Sequence, residues 1–464
     1  MFRDRSPGFK LFIAVCVGAA LLVPLLFVYG LVSDRQTQSQ TAQSSITQGW
    51  GGPQTISGPL LVIPYNRERQ VTETDGNRTL GRTVTERAEL FLAPQRQVVS
   101  GTLTPEVKRR SIYETVTYLA DLNGQARFEL PDDLERIGVP RDKLLLDQAE
   151  LRFGASDPRG LQGGARVTAG GETIALKPGR GPAASGGSGF HGFLDWDGAA
   201  PLAVDWQFSV RGSRALAFVP RGGETDIRLK SAWPHPGFGG DFIPAARRIT
   251  GEGFDARWQI TNLALGEAMV TLSDLGPPAV DFAGGMDMRP MVEGARDEGQ
   301  AHAATIRLID PVDLYSQVDR SVKYGFLFIG FTFLAFLMFD VIGGARVAAA
   351  EYLLTGAGLV LFFVLLLAFA EVIGFTLAYL VASAAIVGLL TAYSAAVLGS
   401  WRRSGFIGAL LLGLYALLYV LLSLEAFSLL IGAVLMFLAL AAVMYATRHI
   451  DWSARREATA EELG

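Results

Sequence analysis

Residues 11–32 read LFIAVCVGAALLVPLLFVYGLV and contain no charged side chain. A bilayer core about 30 Å thick is crossed by about 20 apolar residues in a helix, so this run is long enough to span it. A cleavable signal peptide is the rival interpretation, but its apolar stretch would be about 7–15 residues long and would end in a small-x-small site. This run is longer, and no Ala-x-Ala follows it. We therefore predict an uncleaved transmembrane helix over residues 11–32.

Basic residues in front of this run set its predicted direction. Arg3, Arg5 and Lys10 precede it, and the cytoplasmic flank of a span is usually the one enriched in Lys and Arg. We therefore predict that residues 1–10 lie in the cytoplasm and that the chain leaves the cytoplasm after the first span.

A longer apolar region occupies residues 324–446. The same length criterion predicts that it contains five more membrane helices, which we place at about 325–342, 352–370, 373–398, 406–424 and 426–446. When the chain is threaded from an exported domain, the predicted inner loops carry arginines and the two short outer turns carry no Lys or Arg. We therefore predict six spans with both termini in the cytoplasm, the C-terminal tail being residues 447–464.

Small residues recur every four positions along and just beyond the fourth predicted span, at Ala384, Gly388, Ala392, Ala396 and Ser400. Helices in lipid associate without a hydrophobic driving force, and such a stripe lets two helix backbones approach closely. We predict that this stripe packs against another helix.

Residues 33–323 have the composition of an ordinary soluble domain, without cysteine, because the single cysteine of the chain is Cys16. Short runs of alternating apolar and polar residues, separated by Gly, Pro, Asn and Asp, lie at 88–92, 113–118, 126–130, 150–153, 204–210, 225–230 and 256–260. This alternation predicts an antiparallel β-sandwich-like periplasmic domain, and the glycine-rich residues 179–189 predict a flexible insertion within it. The predicted fold class is a membrane protein of the α+β type, with one membrane helix before the β-rich domain and five after it.

Composition and motifs exclude several classes of function. The net charge is −4, from 41 basic and 45 acidic residues, which is not the charge footprint of a nucleic-acid-binding protein. A domain without cysteine has no disulfide, no thiol nucleophile and no cysteine-type zinc site. The motifs Gly-x-Ser-x-Gly and His-Glu-x-x-His and the phosphate-binding loop are absent. We therefore predict no catalytic set, no cofactor and no metal, and the lipid bilayer as a partner.

Segments distributed over nearly the whole chain carry a resemblance to a known family. They read RSIYE (110–114), WPHPGF (233–238), FIP (242–244), GFDARW (253–258), DPVDLY (310–315), RSVKY (320–324), FTFLAF (331–336), EVIGF (371–375) and RHIDW (448–452). In this order they resemble the CreD family of bacterial inner-membrane proteins, called cell envelope integrity proteins, although Val372 stands where that family usually has His. The resemblance implies an inner-membrane protein linked to envelope stress and to the β-lactam response through a two-component regulatory system. It implies no known reaction.

Two glutamates, Glu371 and Glu425, stand at the predicted outer ends of membrane helices. Ionisable groups within membrane helices are costly and often functional, so these carboxylates are candidates for taking up protons or holding a substrate cation. The alternative is that they are interfacial charges that mark helix ends, because both fall where the turns are predicted. Glu371 is the stronger functional candidate, because long apolar runs flank it on both sides.

A second candidate site is the segment Trp-Pro-His-Pro at residues 233–236. His235 is a candidate metal ligand or base, and Asp241 follows six residues later. The prolines on both sides of the histidine favour instead a rigid extended loop in which Trp233 and Phe238 pack.

Three functional hypotheses remain. The leading one is a non-enzymatic envelope integrity or stress-response protein, whose periplasmic domain binds or braces an envelope component or a membrane protein partner and is coupled to the helix bundle. The second is a transporter or lipid-handling protein that uses Glu371 and Glu425. The third is a periplasmic envelope hydrolase that uses His235.

Overall fold

The computed structural model describes residues 7–75, 78–280, 299–309, 314–341, 348–423 and 428–448. The chain divides into two compact units. We call the first the membrane unit; it combines Met1–Thr41 with Val312–Gly464. We call the second, Ala42–Pro311, the β domain.

Each predicted membrane span overlaps a described helix. The described helices are α1 (Pro7–Trp50), α2 (Asn262–Leu265), α3 (Leu314–Lys323), α4 (Gly325–Val341), α5 (Ala349–Ile373), α6 (Phe375–Leu398), α7 (Trp401–Ser423) and α8 (Ser428–Thr447). Five stretches of helix in the described chain are long and apolar enough to cross a membrane, namely α1, α3 with α4, α5, α6 and α7. Helix α8 is a further helix of 20 residues without a charged side chain. The predicted fold class, a membrane protein of the α+β type, is confirmed.

Helix α1 extends well beyond its predicted end at Val32, as far as Trp50. Its second half is polar, and side chains stabilise it locally: the Thr37 hydroxyl donates to the Ser33 carbonyl at 3.0 Å, and the Gln38 amide donates to the Asp34 carboxylate at 2.8 Å. The helix ends where Gly51 takes a φ of +136°, a conformation that favours glycine. The boundary between the two units, after Thr41, therefore falls inside one continuous helix.

The apolar half of α1 packs against the bundle along one face. Leu21, Leu25, Val28 and Val32 are buried on this face. A Cβ placed on Gly356 of α5 would collide with Leu21, so the glycine makes room for the α1 side chain. Small residues serve this purpose in membrane proteins because close packing replaces the hydrophobic effect between helices in lipid.

Within the residues that the structure describes, no helix covers the small-residue stripe of α6. Ala384, Gly388, Ala392 and Ala396 are all exposed. The buried face of α6 carries larger side chains instead, among them Tyr379, Ile386 and Leu390. The spacing of small residues shows that one face of a helix allows close approach. Which face actually packs depends on the neighbouring helices.

The β domain contains the described strands. They are β1 (Gln54–Asp75), β2 (Arg78–Leu92), β3 (Arg96–Arg110), β4 (Tyr113–Phe128), β5 (Ala149–Ala155), β6 (Arg166–Ala169), β7 (Glu172–Thr173), β8 (Lys177–Pro178), β9 (Gly189–Leu194), β10 (Leu202–Ser213), β11 (Ala215–Val219), β12 (Glu224–Ser231), β13 (Pro236–Gly240), β14 (Ala246–Thr250), β15 (Gly253–Thr261), β16 (Val270–Thr271) and β17 (Ala304–Leu308). Each predicted alternating run falls in one of them, apart from the last residues of the run at 126–130.

The strands form two sheets. The order in the larger sheet is β13-β17-β11-β1-β5-β9-β8, with β2 paired to β1 and β16 paired to β2. The order in the other sheet, which we call the eight-stranded sheet, is β14-β15-β12-β3-β4-β10-β6-β7. Most pairs are antiparallel as predicted, but β1 pairs with β11 and β12 pairs with β3 in parallel. Each sheet therefore contains a parallel pair that alternation along single strands does not predict.

One hydrophobic core draws on both sheets. Strand β10 shows the alternation behind it: Trp206 and Phe208 are buried while Asp205 and Gln207 are exposed. The two sheets also share a polar contact, since the buried hydroxyl of Tyr118 donates to the Ala215 carbonyl at 2.7 Å. Burial raises the pKa of this hydroxyl, so it remains a donor at neutral pH.

The segment 179–189, predicted as a flexible insertion, makes specific contacts with the β domain. Ala184 and Ser185 are buried, and the Ser185 hydroxyl donates to the carbonyls of Pro182 and Ser188. The amide of Ala183 donates to the Asp274 carboxylate at 2.5 Å. The glycines of this segment therefore allow tight, packed turns.

Candidate functional site

Glu371 lies near the C-terminal end of α5 and joins three helices of the membrane unit. Its Oε1 accepts a hydrogen bond from the hydroxyl of Tyr315 on α3 at 3.2 Å and lies 3.9 Å from Nε of Arg35 on α1. The carboxylate side chain is only 14% exposed, whereas that of Arg35 is 41% exposed. The sequence indicated the glutamate, and the structure adds the arginine and the tyrosine.

The two partners of Glu371, Arg35 and Tyr315, lie on the helices that connect the membrane unit to the β domain along the chain. Helix α1 leads along the chain into the β domain, and α3 begins the chain's return from it. One carboxylate therefore contacts both helices through which the membrane unit is joined to the β domain. An ion pair with one partly exposed member contributes little to stability, typically about 0.2–1 kcal/mol. These contacts are therefore better suited to positioning α1 relative to α3 than to stabilising the helix bundle.

The same geometry bears on the hypothesis of cation transport. A substrate cation bound at Oε1 of Glu371 would compete with the Arg35 guanidinium, whose Nε lies 3.9 Å from this oxygen. The contact with Arg35 favours the attachment role of Glu371, which stays a prediction. Glu425, the second glutamate of that hypothesis, lies outside the described residues.

Trp233 and His235 lie just before edge strand β13, which begins at Pro236. The indole Nε1 of Trp233 donates to the Ile309 carbonyl at 3.0 Å, and the backbone carbonyl of His235 accepts from the Ile309 amide at 3.2 Å. The His235 side chain is exposed. These contacts give the segment a role in joining β13 to the chain beyond β17.

Asp241 lies beside a different histidine from the one its sequence position suggested. Its Oδ2 is 3.4 Å from Nδ1 of His302 and also accepts from the Ala303 amide at 3.0 Å. The ring of His302 lies 5.9 Å from that of Phe242. In the described part of the chain no group of three or more His, Cys, Asp or Glu residues is arranged to hold a metal ion.

The C-terminal end of α1 is held within the β domain by contacts that the sequence did not reveal. The ring of Trp50 lies between two cations: Nζ of Lys108 is 3.9 Å and the guanidinium carbon of Arg211 is 4.3 Å from its centroid. Arg159 donates to the Gln48 carbonyl at 3.0 Å, and Arg110 contacts the hydroxyl of Ser45. The sequence feature that could have indicated this attachment is a tryptophan, Trp50, at the end of a polar segment.

A loop carboxylate fixes the residues that follow this helix. Asp157 accepts from the Gly52 amide at 3.0 Å and forms an ion pair with Arg159 at 2.8 Å. Hydrogen bonding to Arg159 is the largest cause that lowers the pKa of Asp157 to about 2, with the Gly52 amide acting in the same direction. The carboxylate is therefore ionised throughout the physiological range.

Comparison with known proteins gives one consistent result. The family model described as Inner membrane protein CreD matches residues 6–453. The chain is also 31% identical over 443 residues to Inner membrane protein CreD of Escherichia coli (strain K12), covering 94% of this chain and 91% of that protein. The match thus includes both the membrane unit and the β domain.

Proposed function

Because this chain belongs to the CreD family of inner membrane proteins, we propose that it serves cell envelope integrity and the stress response without catalysing a reaction. In this proposal the β domain binds or braces an envelope component, and the membrane helices anchor that domain or relay its state. In this proposal the β domain lies in the periplasm and both termini lie in the cytoplasm, because Arg3, Arg5 and Lys10 precede the first span and the predicted number of spans, six, is even.

The observation that carries the proposal is the continuity of α1. This helix runs from Pro7 to Trp50 without interruption, about 66 Å at 1.5 Å per residue, and therefore exceeds the thickness of a bilayer core of about 30 Å. It is fixed in both units: Arg35 contacts Glu371 in the membrane unit, and Trp50 lies between Lys108 and Arg211 in the β domain. A helix held at both ends transmits force or displacement better than a flexible linker does.

A non-enzymatic role agrees with the contacts of the candidate residues. Glu371 is engaged by helices α1 and α3, and Trp233 is engaged by the backbone at Ile309. These contacts serve attachment and strand placement, and they support the non-catalytic hypothesis over a hydrolase that uses His235.

The test is to lower the helix stability of α1 between Arg35 and Trp50, the residues that attach it to the two units. Thr37, Gln38 and Gln40 are exposed on this helix, and each Gly in an exposed helix interior costs about 1 kcal/mol relative to Ala. We expect the triple variant Thr37→Gly, Gln38→Gly, Gln40→Gly to lose protection against detergent and a β-lactam in cells that lack the native protein. The measurement is survival at matched amounts of membrane-inserted protein.

The matched control is the triple alanine variant at the same positions, which removes the same side chains and keeps the helix. It should protect as the wild type does. Full protection by the glycine variant would show that a continuous α1 is unnecessary, and the coupling part of the proposal would then be wrong.

A further inference from the structure

The outer face of the eight-stranded sheet contains a groove of about 430 Å³. Strands β3, β4, β10 and β6 form it side by side. Its volume is in the range of pockets that bind small molecules, about 300–1,000 Å³, but such pockets are mostly apolar. The side chains that point into this groove are largely amides, hydroxyls and single charges. The lining therefore calls for a polar ligand.

Strand register arranges these side chains in rows across the sheet. In the first row Gln125 lies opposite Asp205, and Asp205 lies opposite Thr168. In the second row Ser100 and Gln207 lie on either side of Asn123, and Gln207 lies opposite Arg166. We call this second row, Ser100, Asn123, Gln207 and Arg166, the polar row. Strands lie about 4.8 Å apart, so the polar row is about 14 Å long.

The polar row differs from its neighbours in its hydrogen bonding. In the first row, Gln125 donates to the Asp205 carboxylate at 2.8 Å. In the row on the other side, the Ser209 hydroxyl donates to the Asp121 carboxylate at 2.5 Å.

Within the described chain, the side chains of the polar row form no hydrogen bond and no ion pair with the protein. The row therefore presents a hydroxyl, two amides and a guanidinium at about one-strand intervals, all available to a ligand.

We propose that this groove binds a polyhydroxylated glycan, with sugar hydroxyl and amide groups on Ser100, Asn123 and Gln207 and an acidic substituent on Arg166. Amide side chains both donate and accept, as sugar hydroxyls do, and a guanidinium binds a carboxylate or phosphate through paired hydrogen bonds. An extended peptide is a poorer fit, because peptides recruited to sheets pair with the backbone of an exposed edge. In this groove the backbones of β4 and β10 are already paired on both sides.

The inference rests on the proposed role of the β domain in binding an envelope component, and it names the chemistry of that component. Two sources in an envelope carry acidic, polyhydroxylated sugars: cell-wall glycan strands and lipopolysaccharide. The test uses the full chain in detergent with three separate probes, which are peptide-free cell-wall glycan strands, deacylated lipopolysaccharide and the free cell-wall stem peptide. Titration calorimetry measures each affinity.

The variant Asn123→Ala, Gln207→Ala removes two side chains that are exposed and have no protein partner, so its melting temperature should equal that of the wild type. The matched control is Gln259→Ala, an exposed amide elsewhere on the same sheet. We expect the wild type and the control to bind one of the glycans, the tighter one identifying the source. We expect the double variant to bind it about tenfold more weakly.

Failure of both glycans to bind, equal affinity of the double variant, or binding of the stem peptide alone would each overturn the assignment. The envelope assay separates this inference from the proposed function. If the glycine variant of α1 loses protection while the groove variant binds normally, only the groove assignment is wrong. If glycans bind as expected but the glycine variant protects fully, the coupling proposal is wrong and the groove stands.

Discussion

The two halves of helix α1 are held by different kinds of contact. In the membrane unit its buried face, with Leu21 and Val32, is as apolar as its exposed face, with Leu26 and Phe27. Shape therefore selects the packed face there, through small residues such as Gly356. In the β domain the helix ends on Trp50, where two cations lie within 4.3 Å of the ring centroid. The same helix thus relies on close fit in lipid and on charge in water.

The charged contacts of the two halves also differ in strength. In the membrane unit, Nε of Arg35 lies 3.9 Å from the Glu371 carboxylate, and Nζ of Lys323 lies 5.9 Å from the centroid of the Tyr29 ring. The β domain contributes the cations around Trp50 and the Asp157 carboxylate, which receives two donors from Arg159 at 2.9 and 2.8 Å. If α1 couples the two units, its contacts with the β domain should be strong, and its contacts with the helix bundle should be weak enough to rearrange. Each of the following substitutions tests one side of that comparison.

The largest effect is expected at Trp50. Trp50→Ala removes both cation–π contacts and a half-buried ring, and we expect it to lower the stability of the β domain by about 2–3 kcal/mol. Thermal denaturation of the purified chain, followed by circular dichroism of the β signal, measures this loss. Trp50→Phe keeps a ring between Lys108 and Arg211 and should lose less than half as much. Equal melting of wild type and Trp50→Ala would mean that the β domain does not hold this helix end firmly.

The second-largest loss of stability is expected on substitution of Asp157, and its size should depend on pH. Asp157→Asn removes the ion pair with Arg159, and we expect a cost of about 1 kcal/mol near pH 7, because the arginine side chain is largely exposed and solvent screens the pair. The pKa of Asp157 is lowered to about 2 in the folded chain, against about 3.9 in an unfolded one. The wild-type advantage should therefore be complete above pH 4 and disappear as the pH falls through 2.

The measurement is the difference in melting temperature between wild type and Asp157→Asn across this pH range. Glu114→Gln is the control, since it breaks an exposed pair with Arg109 and should change the melting temperature little at any pH. A difference that stays constant down to pH 2 would show that the carboxylate charge does not stabilise the start of β1.

The sequence predicted the parts of the fold that depend on local composition. Runs such as residues 11–32 suit only lipid, whatever their neighbours, and five of the six predicted spans coincide with described helices that are long and apolar enough to cross a membrane. The polar half of α1 was missed because residues 33–50 show no apolar face, and the contacts that hold their end come from Lys108 and Arg211, far along the chain.

Strand β4 shows a second limit of local patterns. Its residues 113–118 and 126–130 were predicted as separate runs, and Asn123-Gly124 between them is a pair typical of hairpin turns. In the structure this glycine lies inside β4, where a Cβ would collide with the indole ring of Trp206, so the position needs glycine for close packing and not for a turn. For the same reason the candidate site was only partly predictable. Glu371 stands out in an apolar run, whereas its partners Arg35 and Tyr315 become neighbours only through tertiary packing.

The smallest effect on stability is expected at Glu371, where it separates attachment from transport. Glu371→Gln keeps an acceptor for Tyr315 and removes the charge opposite Arg35, so the free energy of unfolding should fall by less than about 1 kcal/mol. Arg35→Gln breaks the same contact from the other side. If the contact serves attachment, both variants should weaken envelope protection equally, and the double variant should be no worse than either, because each single variant already breaks the contact between Arg35 and Glu371.

A transporter would respond differently to the same three variants. Its function would depend on the ability of Glu371 to ionise, so Glu371→Gln would abolish protection, whereas Arg35→Gln would leave the carboxylate free to take a proton or cation. Unequal single variants at matched protein levels would therefore favour transport and contradict attachment. Equal effects of the single variants that do not add in the double variant would instead show that Arg35 and Glu371 act through the same contact. This contact would then be the weaker of the two attachments of α1, and the one that can change when α1 moves.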